Sequence, residues 1–267
     1  MATPTLVIGL GGSGLKAVTH IKKNLLEANQ NRLPNEVALM VLDTEREVKY
    51  TAGGWGQERS TQHATGPVRI DIGEYIAMVG NVRALGDAIK AEQYEMLRNP
   101  AAQRNQPYRH MSGWFQATYY LDIAGLPDQV WNLDEGAGRY RQFGRMAFFR
   151  NIDVVEQKLK SSVQAVQRAS QGTTLYVHVI GSLAGGTGAA LFIDVAHLVQ
   201  LITRDAGYSQ APVLFGHFVL TEAFRGTRAV KLNESGVLAN FNARMYAGLR
   251  ELTRLQSPII RRSGGYP

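Results

Sequence analysis

Thr5-Leu6-Val7-Ile8-Gly9-Leu10-Gly11-Gly12-Ser13-Gly14 is the stretch that decides the fold. A short apolar run enters a turn with glycine at 9, 11, 12 and 14, and Leu15, Val18, Ile21 and Leu25 follow at helical spacing. The pattern predicts strand, tight turn, helix. Val37-Ala38-Leu39-Met40-Val41-Leu42 predicts a second strand closing on Asp43-Thr44. It is apolar without alternation, which requires cover on both faces, as in a parallel sheet. Residues 5–43 are therefore expected to form a βαβ unit.

Further along, the pattern breaks up from Thr51 to about Glu135. Gly53-Gly54-Trp55-Gly56 and Asn99-Pro100 through Pro107 are loop-like, with a helix expected near Val82–Leu97 between them. Residues at about 50–135 are expected to form an elaboration on the sheet edge. Its Trp55, Trp114, Trp131, Tyr108, Tyr119 and Tyr120 suit a small satellite core, or else a partner surface. Periodicity returns after Gly136-Ala137-Gly138, where Ile152, Val155, Leu159, Val163 and Val166 mark a long amphipathic helix. Thr173–Ile180 predicts a third core strand, ending in Gly181-Ser182-Leu183-Ala184-Gly185-Gly186-Thr187-Gly188. A helix apolar almost all round follows at Leu191–Thr203, then a fourth core strand at Pro212–Leu220. Leu238, Phe241, Met245, Leu249 and Leu252 mark a last amphipathic helix. This alternation predicts an α/β domain over residues 1–267, a doubly wound, mostly parallel sheet with helices on both faces.

The 267 residues, 45% hydrophobic and 19% charged, suffice for a real core. There are no cysteines, which excludes disulfides, thiolate metal sites, iron–sulfur clusters and a cysteine nucleophile. No apolar run reaches the roughly 18 residues that span a bilayer. The N-terminus has no basic region before an apolar segment, so a cytoplasmic protein is expected. Lys and Arg number 29 against 22 Asp and Glu, a net charge of +7 that favours phosphate-bearing ligands, nucleic acid or acidic partners. The basic residues are dispersed, however, and no nucleic-acid interface is supported. Histidines 20, 63, 110, 178, 197 and 217 lack metal-ligand spacing, and His178 and His217 are expected to be satisfied core residues. No G-x-S-x-G nucleophile elbow occurs, and the Walker lysine pattern is absent too, so a P-loop NTPase is excluded.

In a doubly wound sheet, ligands bind at the carboxyl ends of strands, and the glycine clusters fall there or open a helix. Glycine lets a phosphate approach bare N–H groups at a helix N-terminus. Ser13 and Thr187 add hydroxyl donors. A nicotinamide-linked oxidoreductase uses one such loop; two on central strands are a different arrangement.

These loops resemble those of the tubulin/FtsZ superfamily, in particular its divergent bacterial tubulin-like members. Gly9-Leu10-Gly11-Gly12-Ser13-Gly14 is similar to the family's first phosphate loop. Gly136-Ala137-Gly138, with Gly144-Arg145 beyond, resembles the FtsZ loop over the γ-phosphate. Ser182-Leu183-Ala184-Gly185-Gly186-Thr187-Gly188 resembles the tubulin signature GGGTG, with Ala184 in place of the first glycine. The three motifs keep the family's order over about 180 residues.

The resemblance implies a GTP- and GDP-binding protein, Mg2+ included, that assembles with itself or within a larger assembly as a cytoskeletal or scaffold component. Gly11, Gly12, Ser13, Gly14, Gly185, Gly186, Thr187 and Gly188 would hold the α- and β-phosphates. Ala137 and Gly138 would cover the γ-phosphate, and Asp43 would orient magnesium-bound water. Glu222 would contact the ribose, where FtsZ has Phe-Glu-Gly and this chain has Phe224-Arg225-Gly226. Arg228 would reach the phosphates or ribose. Asn242–Leu255 aligns with the helix after the ribose loop, which would end the chain before the guanine-reading strand, the central helix and the hydrolysis-activating acid. A competing alignment makes 238–255 the central helix, with Asn240 or Asn242 facing the base. The alternative function is a pseudo-GTPase interaction module that keeps the fold without nucleotide turnover.

Overall fold

The computed structural model describes residues 3–48, 50–52, 67–99, 106–134, 137, 140–170, 174–224 and 235–256, with side chains at 239–255 in the last of these. Five strands form one sheet: β1 (Thr5–Leu10), β2 (Val37–Asp43), β3 (Tyr75–Ala77), β4 (Tyr176–Ser182) and β5 (Val213–Val219). Their order is β3-β2-β1-β4-β5, and every neighbouring pair is parallel. In register, Val7 lies beside Leu39 and His178, and Gly9 beside Val41 and Ile180.

Alternate residues of β1 and β2 enter two different cores. Leu6, Ile8, Leu10, Met40 and Leu42 are buried together with residues of α5 (Arg141–Arg150), α6 (Ile152–Ala169) and α7 (Thr187–Asp205). Val7, Leu39 and Val41 are buried against Leu15 and Val18 of α1 (Gly11–Ala28). Helices thus cover both faces, and this double cover is why β1 and β2 are apolar at consecutive positions. The doubly wound α/β fold is the one expected. The α6 periodicity is also as expected, with Val155, Leu159, Val163 and Val166 fully buried. Each such side chain contributes roughly 1.5–3 kcal/mol.

Within 50–135, α2 (Arg83–Arg98) lies where a helix is expected, followed by the short helices α3 (Arg109–Ser112) and α4 (Asp128–Trp131). The three-residue β3 has no counterpart in the sequence reading. The buried Lys22 of α1 anchors it, donating to Asp71 at 2.7 Å and Glu74 at 2.6 Å. Burial alone would lower the Lys22 pKa, but the Asp71 and Glu74 carboxylates outweigh it and hold the ammonium above its usual value.

Three expectations need correction. The aromatic residues of 106–134 are not a satellite core: Phe115 and Trp131 belong to the same buried cluster as β1 and β2. The Trp131 ring meets Phe143 of α5 edge-on, with centroids 4.8 Å apart. Gly86 makes room for the indole, since a Cβ there would lie 2.9 Å from it. Trp55 lies outside the described residues. Next, β5 is an edge strand rather than a core strand, and Phe215 is 40% exposed. His178 and His217 stack on this open face, Nδ1 to Nε2 at 3.0 Å, and are not core histidines. Finally, α7 is not buried all round, because Leu201 is 49% exposed. The last described helix is α8 (Ser235–Gln256), where Phe241 is buried but Leu249 is 39% exposed.

Candidate functional site

The strand order reverses between β1 and β4, and a crevice must open there at the carboxyl ends. A cleft of about 470 Å3 occupies that place, lined by Leu10–Ser13, Asp43–Glu45, Ala137, Ser182 and Gly185–Gly188. Two strand-to-helix corners meet in it. Gly11 has φ +67°, and a Cβ there would lie 3.2 Å from Thr187 Cβ, so the corners touch.

The glycines divide by what surrounds them. A Cβ at Gly9 would lie 2.7 Å from the Gly14 carbonyl oxygen, one at Gly14 2.6 Å from that of Ile180, and one at Gly188 2.8 Å from that of Ser182. These three allow the helices to pack on the strands. At Gly12 and Gly185 a Cβ would meet nothing within 4 Å, although both residues line the cleft. No packing requirement accounts for glycine at these two positions.

Both helices that open onto the cleft, α1 and α7, start without a side-chain cap and without an acidic residue in the first turn. Their first-turn amides therefore present partial positive charge to the cleft. The third wall follows β2. Asp43 is buried, and its Oδ1 accepts the Thr44 N–H at 2.7 Å. Thr44 Oγ1 lies 2.9 Å from Thr187 Oγ1 and accepts the Ala137 N–H at 2.8 Å. Tyr75 donates to the Glu45 carbonyl at 2.7 Å, and its phenol is pushed well up by burial and then by the Asp43 and Glu45 charges.

The tubulin-like family profile matches residues 6–266. The chain belongs to the tubulin-like family. No curated protein and no solved structure gives a significant match.

In this tubulin-like chain, Gly11, Gly12, Ser13, Asp43, Ala137, Gly185, Gly186, Thr187 and Gly188 all line the cleft. Gly14 lies behind it, against Gly9 and Ile180. Glu222 is exposed in the 3-10 turn Thr221–Phe224 and is not among the lining residues. Gly138 and Arg228 lie outside the described residues. Gly144 backs the second loop, where a Cβ would lie 3.0 Å from the Gly186 carbonyl oxygen. Arg145 binds Asp194 of α7. Helix α8 packs behind the second loop, with Gly248 against Leu183 and the Arg244 guanidinium 3.4 Å from the Ala184 carbonyl oxygen.

Thr44 and Glu45 were not singled out from sequence, although both directly follow Asp43 at a strand end, where ligands bind. Among the described lining residues the charged groups are two carboxylates, Asp43 and Glu45. Both are oxygen donors of the kind a hard cation such as Mg2+ takes. A larger cavity of about 710 Å3 lies at the other end of the sheet, where α7 ends and β5 starts, away from the glycine corners.

Proposed function

We propose that this tubulin-like chain binds GTP and GDP with Mg2+ in the β1/β4 cleft, as a self-assembling cytoskeletal or scaffold component of the cytoplasm. The observation that carries the reading is the meeting of two uncapped helix N-termini at corners whose Gly12 and Gly185 have no packing role. In this reading Gly11, Gly12, Ser13 and Gly185–Gly188 hold the α- and β-phosphates on backbone amides and the Ser13 and Thr187 hydroxyls. Asp43 and Glu45 hold the cation and its waters. A bound Mg2+ supplies positive charge that offsets the repulsion between these carboxylates and a polyphosphate. The chain works as one nucleotide-binding unit with 50–135 as its elaboration, partnered by further copies or a larger assembly.

Titration of the purified chain with GTP and Mg2+ tests this. Saturable binding that disappears in Gly185→Trp, at a cleft position where an added Cβ meets nothing within 4 Å, is the expected result. Tight NAD binding without GTP binding would overturn it. A binder also gains about 2.7 kcal/mol of stability at a ligand concentration 100 times Kd. The second reading, an interaction module without turnover, draws on the Ala137 amide, which is already bonded to Thr44 instead of facing the cleft.

A further inference from the structure

Thr44 sits between two groups that the proposed ligand would need. Its Oγ1 accepts from the Ala137 N–H at 2.8 Å and lies 2.9 Å from the Thr187 hydroxyl oxygen. A threonine hydroxyl carries one proton and two lone pairs. One lone pair of Thr44 is taken by the amide, and among the described residues its oxygen has no partner beyond these two. Both threonines line the cleft, and Thr44 is fully buried whereas Thr187 keeps 7% exposure.

Burial decides the direction of the Thr44–Thr187 bond. If Thr187 donated, the buried Thr44 proton would have no acceptor among the described residues, and an unmade buried donor is costly. If Thr44 donates, it is satisfied, and the Thr187 proton is left to point at the cleft. The donors then run one way: Ala137 N–H to Thr44, Thr44 O–H to Thr187, and Thr187 O–H to whatever anion is bound. Bonds in such a chain polarise and strengthen one another.

We infer that Thr44 is a positioning residue that sets how this cleft reads phosphate. It fixes Thr187 as a donor to the bound polyphosphate, and it holds the Ala137 amide away from the ligand. Residues 44, 137 and 187 are tied together, so a third phosphate finds the Ala137 amide already engaged. Through Ala137 the cleft therefore gains little for a triphosphate over a diphosphate. This rests on the nucleotide reading above and adds its specificity.

Calorimetry with GDP and with GTP, each with Mg2+, on the wild type, Thr44→Val, Thr44→Ser and Thr187→Val tests the inference. It is paired with hydrogen exchange at the Ala137 amide without nucleotide. The wild type is expected to bind GDP and GTP with Kd values within about threefold. Thr44→Val frees the Ala137 amide and releases Thr187, so GDP binding weakens about tenfold and the GTP-to-GDP preference moves at least about fivefold toward GTP. Thr44→Ser keeps the hydroxyl and the wild-type ratio. Thr187→Val removes the last donor but not the tether, and weakens both nucleotides alike. In the ligand-free chain, Ala137 exchanges at least about tenfold faster in Thr44→Val and at the wild-type rate in Thr44→Ser.

A wild type that already prefers GTP tenfold, or a folded Thr44→Val with the wild-type ratio, overturns the inference. Unchanged Ala137 exchange in Thr44→Val overturns the tether whatever the nucleotide results. A wild type that binds neither nucleotide overturns the nucleotide reading and its phosphate readout, and the exchange experiment then decides the tether alone.

Discussion

The Arg145 guanidinium holds the Asp194 carboxylate through two parallel hydrogen bonds, Nε to Oδ2 at 2.6 Å and Nη2 to Oδ1 at 2.7 Å. The same guanidinium lies 4.5 Å over the Trp114 ring. One side chain of α5 thereby joins α7, which starts at the second glycine corner, to the 106–134 segment. Arg145 is a strut behind the cleft rather than a group inside it.

Arg145→Lys cannot reproduce a two-pronged contact or the planar stacking on Trp114. The pair is partly exposed, 32% for the Arg145 side chain and 13% for that of Asp194, which tempers its worth. Chemical denaturation of Arg145→Lys and Asp194→Asn is expected to show losses of about 2 kcal/mol each. Their double variant should lose clearly less than the sum, as expected for two partners of one interaction.

Glycine substitutions separate packing from binding. Gly14→Ala forces a Cβ to within 2.6 Å of backbone atoms of Gly9 and Ile180, so a loss of about 3 kcal/mol or more is expected. Gly12→Ala meets nothing within 4 Å, and its stability is expected to stay within about 1 kcal/mol of wild type. Its affinity for GTP should nonetheless fall by about tenfold or more. Thermal melts read the first effect and calorimetry the second.

Trp131→Ala tests whether the elaboration shares the main core. The residue is 1% exposed and its ring meets Phe115 and Phe143 edge-on. Truncation should cost about 3–5 kcal/mol in a single cooperative unfolding transition. An early separate transition for 106–134 would show instead that the segment folds on its own.

His178 is held below its usual pKa by burial and, secondarily, by the neighbouring His217. From about pH 6.5 down to that lowered value, the folded chain binds fewer protons than the unfolded chain. Stability contributed by His178 is therefore fully present above about pH 6.5, falls as the pH drops through the window, and levels off below it. Tm measured at about pH 7.5 and at about pH 5 should differ less in His178→Phe, which keeps the stacking on Phe215, than in wild type.

The two glycine corners were legible in the chain because what they demand is local. A left-handed turn at Gly11, or an N–H row at a helix start, depends on residues adjacent in sequence. The βαβ order and the α6 stripe were legible for a similar reason, since strand and helix periods repeat within one element. The tether was not legible: Thr44 finds Ala137 at a separation of 93 residues and Thr187 at 143. No spacing announces such a meeting. Exposure of the His178 and His217 pair was equally hidden, because a β-rich run looks the same on a covered face as on an open one.

Steric and periodic rules that act over a few residues were enough to lay down the α/β alternation, the glycine corners and the acid at the end of β2. Which glycines serve packing and which face empty space was settled by the folded arrangement. It alone merged Trp131 into the main core, added β3 through the Lys22 ion pairs, and turned Arg145 away from the cleft. Those outcomes depend on surfaces that distant segments present to one another, and such surfaces exist only after the sheet has brought the segments together.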